Sequence, residues 1–217
     1  MKKAKSSAPL RTRKRLQDER IAELLDVATE VFITEGFAAA STNEMARRAR
    51  ASKTTFYSRF PTKEELFLAV IARRMNRIFE QVTLLSPKPT LNDALRKFGM
   101  NLLTIALSPE QISLIRMVSM ESGRYPELAR QYYESGPKRA EEALAFYLDG
   151  QIRLGHVREG DTLMMARQFM NLITGSPVRW FVLGFESKPL SDDALQRHID
   201  GVIGMFSRAY GCPPQAA

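Results

Sequence analysis

Residues 41–67, STNEMARRARASKTTFYSRFPTKEELF, read as two short helices joined by a tight turn and followed by a longer third. Ser41 with Glu44 three positions on is a capping-box pair, which satisfies the open amides of a helix start and sets Met45, Ala46 and Ala49 on one apolar face. Ser52 is placed to cap a second helix. In it Phe56 and Phe60, four apart, turn inward, while Lys53, Thr54, Thr55, Tyr57 and Arg59 stay outside as hydrogen-bond donors. Pro61 stops that helix, since its ring removes a backbone donor. Thr62 with Glu65 is a second capping pair, and it launches a long amphipathic helix through Leu66, Val70, Ile71, Ile78 and Phe79. Together these are the marks of a helix-turn-helix.

Upstream, residues 18–35 carry Ile21, Leu24, Leu25, Ala28, Val31 and Phe32 at helical spacing, and Gly36 stands where a left-handed cap would close that helix. Three helices of these lengths match the arrangement in which the third lies in a major groove. The stretch before them holds Lys2, Lys3, Lys5, Arg11, Arg13, Lys14 and Arg15 with no acidic residue. We expect a disordered basic arm over residues 1–16, whose Arg13 and Arg15 follow DNA phosphates or enter a minor groove. It has no continuous apolar core, so it does not read as a secretory signal, and a cytoplasmic protein is expected.

The charge is unevenly spread. Of a net +8, residues 1–75 hold 16 Lys/Arg against 9 Asp/Glu, and residues 76–217 hold 16 against 15. Clustered positive charge releases condensed counterions from a polyanion, so double-stranded DNA is the expected partner of the first part. A membrane surface is the rival polyanion, but the apolar stripe of the first helix is better used against the motif, and no run of about eighteen uncharged apolar residues exists. The single cysteine, Cys212, excludes an internal disulfide and a cysteine-based metal site.

Beyond Ser86-Pro87-Lys88-Pro89, a stiff linker, helix starts recur at Thr90 with Asp93, Ser108 with Pro109 and Gln111, Asp161, and Ser191. Residues 126–155 read as one helix or a pair, broken at Gly136-Pro137 and closed by Gly155. No alternating strand pattern appears, so the fold class is all-α. The last two helices, near 161–184 and 191–210, are apolar on more than one face. That surplus suggests a two-fold homodimer through Phe169, Ile173, Trp180, Ile199, Gly201, Val202, Gly204 and Phe206, the glycines permitting close helix approach. His156 and His198 have no carboxylate or cysteine at ligand spacing, and neither a phosphate-cradling glycine loop nor a nucleophile elbow is present. No catalytic residue, metal ligand or cofactor is expected. A small-molecule-processing helical enzyme is the rival reading, and a basic peripheral membrane protein a weaker one.

The motif resembles the DNA-binding domain of the TetR family of bacterial transcriptional regulators. The resemblance rests on Thr42, Ser52, the Phe56-Tyr57 pair, Phe60 and Lys63, with the run aromatic-Tyr-x-x-Phe-x-x-Lys its most specific part. It implies that Tyr57, Thr42 and Lys63 hold the helix on phosphates, while exposure on the helix places Lys53, Thr54, Thr55 and Arg59 nearest base edges. Residues 119–155 resemble the C-terminal domain of a proteobacterial branch of the family. The family implies a palindromic operator, a dimer built on the last two helices, and a small hydrophobic effector that releases a repressor from DNA. For the effector pocket we single out Phe98, Leu102, Met117, Met120, Tyr132, Phe146 and Phe169. The expected organisation is an arm over 1–16, a helix-turn-helix domain over 17–65, an effector-binding and dimerisation domain over 66–211, and a flexible tail over 212–217. Two departures stand out: the family usually has Gly and then Val in the turn, where this chain has Arg50 and Ala51, and the His that often precedes the motif's Phe is Arg59 before Phe60 here. A side chain at positive φ costs on the order of 1 kcal/mol, so the turn is either slightly strained or built differently, and the resemblance implies strain at Arg50 offset by packing.

Overall fold

The computed structural model describes residues 8–51, 53–82 and 90–211, with side chains over 19–51, 56–75 and 90–211. Ten helices make up the described chain. They are α1 (Ala8–Ala39), α2 (Thr42–Arg48), α3 (Lys53–Arg59), α4 (Lys63–Val82), α5 (Leu91–Ala106), α6 (Pro109–Glu121), α7 (Pro126–Ser135), α8 (Pro137–Arg153), α9 (Thr162–Val182) and α10 (Asp192–Tyr210). Among the described residues the one β-type pairing is an isolated bridge between Val157 and Gly211. The chain divides into two compact units between Ile71 and Ala72, inside α4, a little beyond the expected 65/66 boundary.

The caps read from the sequence are in place. The side chains of Ser41, Thr90, Ser108, Asp161 and Ser191 each accept from the amide three residues on, as does Thr62 from Glu65. One capping box is only half closed: Glu44 gives its carboxylate to Arg47, at 2.6 and 2.9 Å, and not to the Ser41 amide. That guanidinium holds the Glu44 carboxyl below its ordinary range.

Helix α1 begins at Ala8, so residues 8–16 of the stretch expected as a disordered arm belong to a helix. Its RTRKRLQDER run consists mostly of good helix formers, and Pro9 sits in the first turn, where a missing amide costs nothing. At the C-terminal end the break falls at Gly36 as expected, but its conformation is not the left-handed helical one of a cap. Gly36 has φ +77 and ψ 165, a region essentially confined to glycine, and it breaks α1 after Glu35.

In the first unit Phe32, Phe37 and Phe67 form an aromatic cluster with centroids 4.8 to 5.8 Å apart, and Leu24, Ala28, Val31, Leu66 and Ile71 complete the core. In the second unit α9 packs against α5, α6, α8 and α10, around Leu95, Phe98, Leu144, Phe169, Ile173 and Ile199. The 126–155 stretch is two helices, parted at Gly136 as its Gly-Pro pair suggests. His156 bonds the Gln151 side chain and His198 the Ile173 carbonyl. Both histidines are local structural links.

Candidate nucleic-acid interface and ligand cavity

Four buried residues lie where α2 and α3 meet, Met45 and Ala46 from the first, Phe56 from the second and Phe60 directly after its end. The turn after α2 is a Schellman motif, with the Arg50 amide on the Arg47 carbonyl at 3.2 Å and the Ala51 amide on the Ala46 carbonyl at 3.0 Å. Its left-handed position falls on Arg50, at φ +50, the one described residue other than glycine with positive φ. Two further Schellman turns, after α8 and α9, put Gly155 and Gly184 at that position. The geometry of the turn is therefore kept with a residue that fits it poorly.

With its aromatic face buried, α3 turns Tyr57, Ser58 and Arg59 outward. The Tyr57 hydroxyl is 3.1 Å from Thr42 Oγ1, so α2 and α3 present these two hydroxyls as a pair. Arg59 lies over the Phe60 ring at 5.8 Å from its centroid. Ser52 and the side chains of Lys53, Thr54, Thr55, Arg13 and Arg15 lie outside the described residues, as do the 86–89 linker, the side chains of Ile78 and Phe79, and the 212–217 tail.

Lys63 has a second occupation that its sequence position did not announce. Its ammonium donates to the carbonyls of Ala38 at 2.9 Å and Ala40 at 3.3 Å, and sits 4.9 Å from the Phe37 ring centroid. It thus binds the chain that leaves α1 at Gly36, with its third proton uncommitted to these two bonds. An exposed ion pair of Arg48 with Glu30, at 2.5 Å, adds a weaker tie between α2 and α1.

The second unit encloses a cavity of about 330 Å³, within the range of small-molecule sites. Leu102, Ile105, Ile115, Met170 and Val178 supply apolar wall, together with Met75 of α4. Polar groups converge from Gln111, Tyr132, Tyr133, Glu141, Asn171 and Thr174. Gln111 is 5% exposed and donates through Nε2 to the Tyr132 hydroxyl at 2.9 Å, while its Oε1 is buried without a hydrogen-bond partner. Burial pushes the Tyr132 phenol up, against the opposing effect of the Gln111 bond. Glu141 accepts from Tyr133 at 2.8 Å and from Arg167 Nε at 3.0 Å, both on Oε2.

Of the residues expected to line a pocket, Leu102 and Tyr132 do so. The others do not. Phe98 and Phe169 are 6.4 Å apart in the central core, Met117 is buried away from the cavity, and Met120 and Phe146 are exposed. Composition marks apolar residues without telling which side of a helix meets empty space. Gln111, which does line the cavity, was read only as a capping partner of Ser108, and its burial beside Tyr132 gives no sequence signal.

The dimer set needs the same correction. Phe169, Ile173, Ile199, Val202 and Phe206 are spent on the internal core. The apolar surface left open on α9, α10 and the segment between them includes Met164, Leu172, Trp180, Leu183, Phe185 and Met205, with Gly201 exposed and Gly204 half-buried nearby. Leu183 and Phe185 are 74% and 81% exposed, in the turn after α9. The Arg116 guanidinium fixes that turn by donating to the carbonyls of Phe181 and Val182, the latter at 2.8 Å.

A helix-turn-helix in one unit and a cavity of mixed polarity in a second, helical unit are the features to set beside the comparisons. Residues 24–70 match the model of bacterial regulatory proteins of the tetR family, and residues 93–212 match that of the AefR-like transcriptional repressor C-terminal domain. The chain belongs to the TetR family, whose members are helix-turn-helix transcriptional regulators that bind DNA as dimers and respond to small molecules. It is 42% identical over 66 residues to the transcriptional activator FasR of Mycolicibacterium smegmatis, which is 30% of each chain. The chain spans 30% and 64% of the length of the first curated relatives it matches. Among solved structures it is similar to a TetR-family regulator from Mesorhizobium loti, with TM-score 0.82, 29% identity, and coverage of 90% of this chain and 98% of that one. It is also similar to the flavonoid-responsive regulator FrrA, with TM-score 0.79, 29% identity, and coverage of 92% and 100%. No described helix is long and apolar enough to cross a membrane.

Proposed function

We propose that the chain is a cytoplasmic repressor that binds a palindromic operator as a homodimer and leaves it when a small, largely apolar effector enters the cavity of the second unit. The observation that carries this reading is α3 itself, seven residues long with Phe56 buried, Phe60 buried directly after its end, and Tyr57, Ser58 and Arg59 open. Tyr57, Thr42 and Lys63 take phosphates, and Lys53, Thr54, Thr55 and Arg59 face base edges. Arg13 and Arg15, at the start of α1, follow the backbone nearby. Repression is supported by the match to a repressor C-terminal domain, and an aromatic effector by the similarity to a regulator that answers to flavonoids. The homodimer uses the open apolar surface of α9 and α10, with Trp180, Gly201 and Gly204 from the sequence reading joined by Leu172, Leu183, Phe185 and Met205.

Occupancy reaches the motif along α4, which carries Met75 in the cavity wall and Lys63 at its first turn. Met75 is held closely: a methyl group on Gly136 would lie 2.6 Å from its sulfur. A ligand that moves Met75 therefore biases α4, and by linkage DNA weakens ligand binding as much as ligand weakens DNA binding. Selection of fragments from random duplex DNA by the purified protein tests the reading. An inverted repeat with half-sites roughly 34–36 Å apart is expected. Failure to enrich any sequence over bulk competitor would overturn it.

A further inference from the structure

The polar atoms of the cavity are few and unequal, and their arrangement specifies more than apolar volume. Gln111 Oε1 is a buried acceptor with no donor. Beside it, the Tyr132 hydroxyl receives the Gln111 amide proton on its oxygen, which leaves its own proton free to donate. An acceptor and a donor side by side match a single hydroxyl group, which donates to one and accepts from the other. Among the described lining residues the one charged group is Glu141, and no Lys, Arg or His is present. The Arg167 guanidinium, 3.0 Å from Glu141 Oε2, is already spent on that carboxylate, so an anionic ligand would lose its water to a wall with no uncommitted cation among its lining residues, at a desolvation cost.

We propose that Gln111 and Tyr132 select an uncharged effector bearing a hydroxyl group on an aromatic or similarly apolar frame, and that the Glu141 wall turns carboxylate analogues away. This rests on the cavity being the effector site. Neither residue belongs to the DNA-reading motif, so the preference they create is separable from operator recognition. The hydroxyl completes a hydrogen-bond set that the folded chain leaves open, and its loss leaves Oε1 unpaired inside the complex, which is why selectivity and not just affinity follows.

Four probes on one frame test it: naphthalene, 2-naphthol, 2-methoxynaphthalene and 2-naphthoate, titrated into the full-length protein by calorimetry. We expect 2-naphthol to bind about tenfold more tightly than 2-methoxynaphthalene, since one uncompensated buried acceptor is worth that much, with 2-naphthoate weakest. In Gln111→Leu the alcohol and the ether should come within about twofold of each other. Equal binding of the alcohol and the ether to wild type, a preference that survives Gln111→Leu, or tightest binding of the carboxylate overturns the inference and leaves the cavity as an effector site. If none of the four binds, the effector-site reading falls and the inference falls with it. Thermal melting of Gln111→Leu separates loss of selectivity from loss of the fold.

Discussion

At the motif, Tyr57 and Thr42 share a hydrogen bond at 3.1 Å on an open surface, whereas in the cavity Gln111 bonds Tyr132 at 2.9 Å and keeps its other amide atom buried and unmatched. Both are two-residue polar pairs on neighbouring helices. They differ in what binding changes. A phosphate meeting the exposed pair displaces water from groups that are already satisfied, so affinity there comes mainly from charge and counterion release. On the proposed reading, a ligand hydroxyl meeting the buried pair supplies the donor that Oε1 lacks within the chain, a contribution of about 1–3 kcal/mol that is selective and short-ranged. On that reading the surface of α2 and α3 is ready as folded, and the cavity is completed by its ligand.

The largest expected effect on this contrast comes from removing the support under the exposed pair. Phe56→Ala empties a fully buried site and should cost about 3–5 kcal/mol, melting the first unit early and abolishing operator binding while probe binding to the cavity persists. Calorimetric melting with both ligands checks it, and loss of both functions together would merge the two regions. Next is Lys63→Ala, which strips two carbonyls and a ring contact and should cost about 1–2 kcal/mol. In the same variant the logarithmic salt slope should fall by roughly 0.9 per subunit if the third proton serves a phosphate, as we propose. A lowered melting point with an unchanged slope would confine Lys63 to α1.

Arg50→Gly addresses the turn and not the surface. Glycine fits the left-handed position already held at φ +50, so stability should rise by about 1 kcal/mol. A fall in melting temperature would show that the Arg50 side chain contributes more than its backbone costs. The smallest change is expected from the double variant Gln111→Leu with Tyr132→Phe. It removes both partners and the orphaned atom, so its stability should match or exceed wild type, while Tyr132→Phe alone, which strands the Gln111 amide as well, should be less stable by about 1 kcal/mol or more. If the double variant is the less stable, Oε1 is satisfied in solution and the contrast between the regions weakens.

The uneven legibility of the sequence follows the same division. Ser41, Thr62, Thr90, Ser108, Asp161 and Ser191 announce helix starts because a cap acts over three residues, and the Phe56–Phe60 spacing fixes the buried side of α3 for the same local reason. The strained turn at Arg50 could be anticipated from one position. What failed was the choice between faces of helices that are apolar all round: Phe169, Ile173, Ile199, Val202 and Phe206 satisfy the pattern of a dimer surface and of a core equally well, and tertiary packing assigns them to the core. Lys63 shows a third case. Its partners Ala38 and Ala40 offer backbone carbonyls, which every residue has, so no side-chain pattern could single them out. Helix α1 extended to Ala8 because helix-forming residues outweigh the absence of an apolar stripe there.

The central claim is that two copies of α3 read one symmetric duplex. It is tested most directly by titrating the selected fragment, and a shuffled one, with the purified chain at moderate salt, following complex mass by sedimentation. The account predicts a whole number of chain pairs per selected duplex and at least a tenfold preference over the shuffled one. A single chain per duplex, or equal affinity for both fragments, would contradict it.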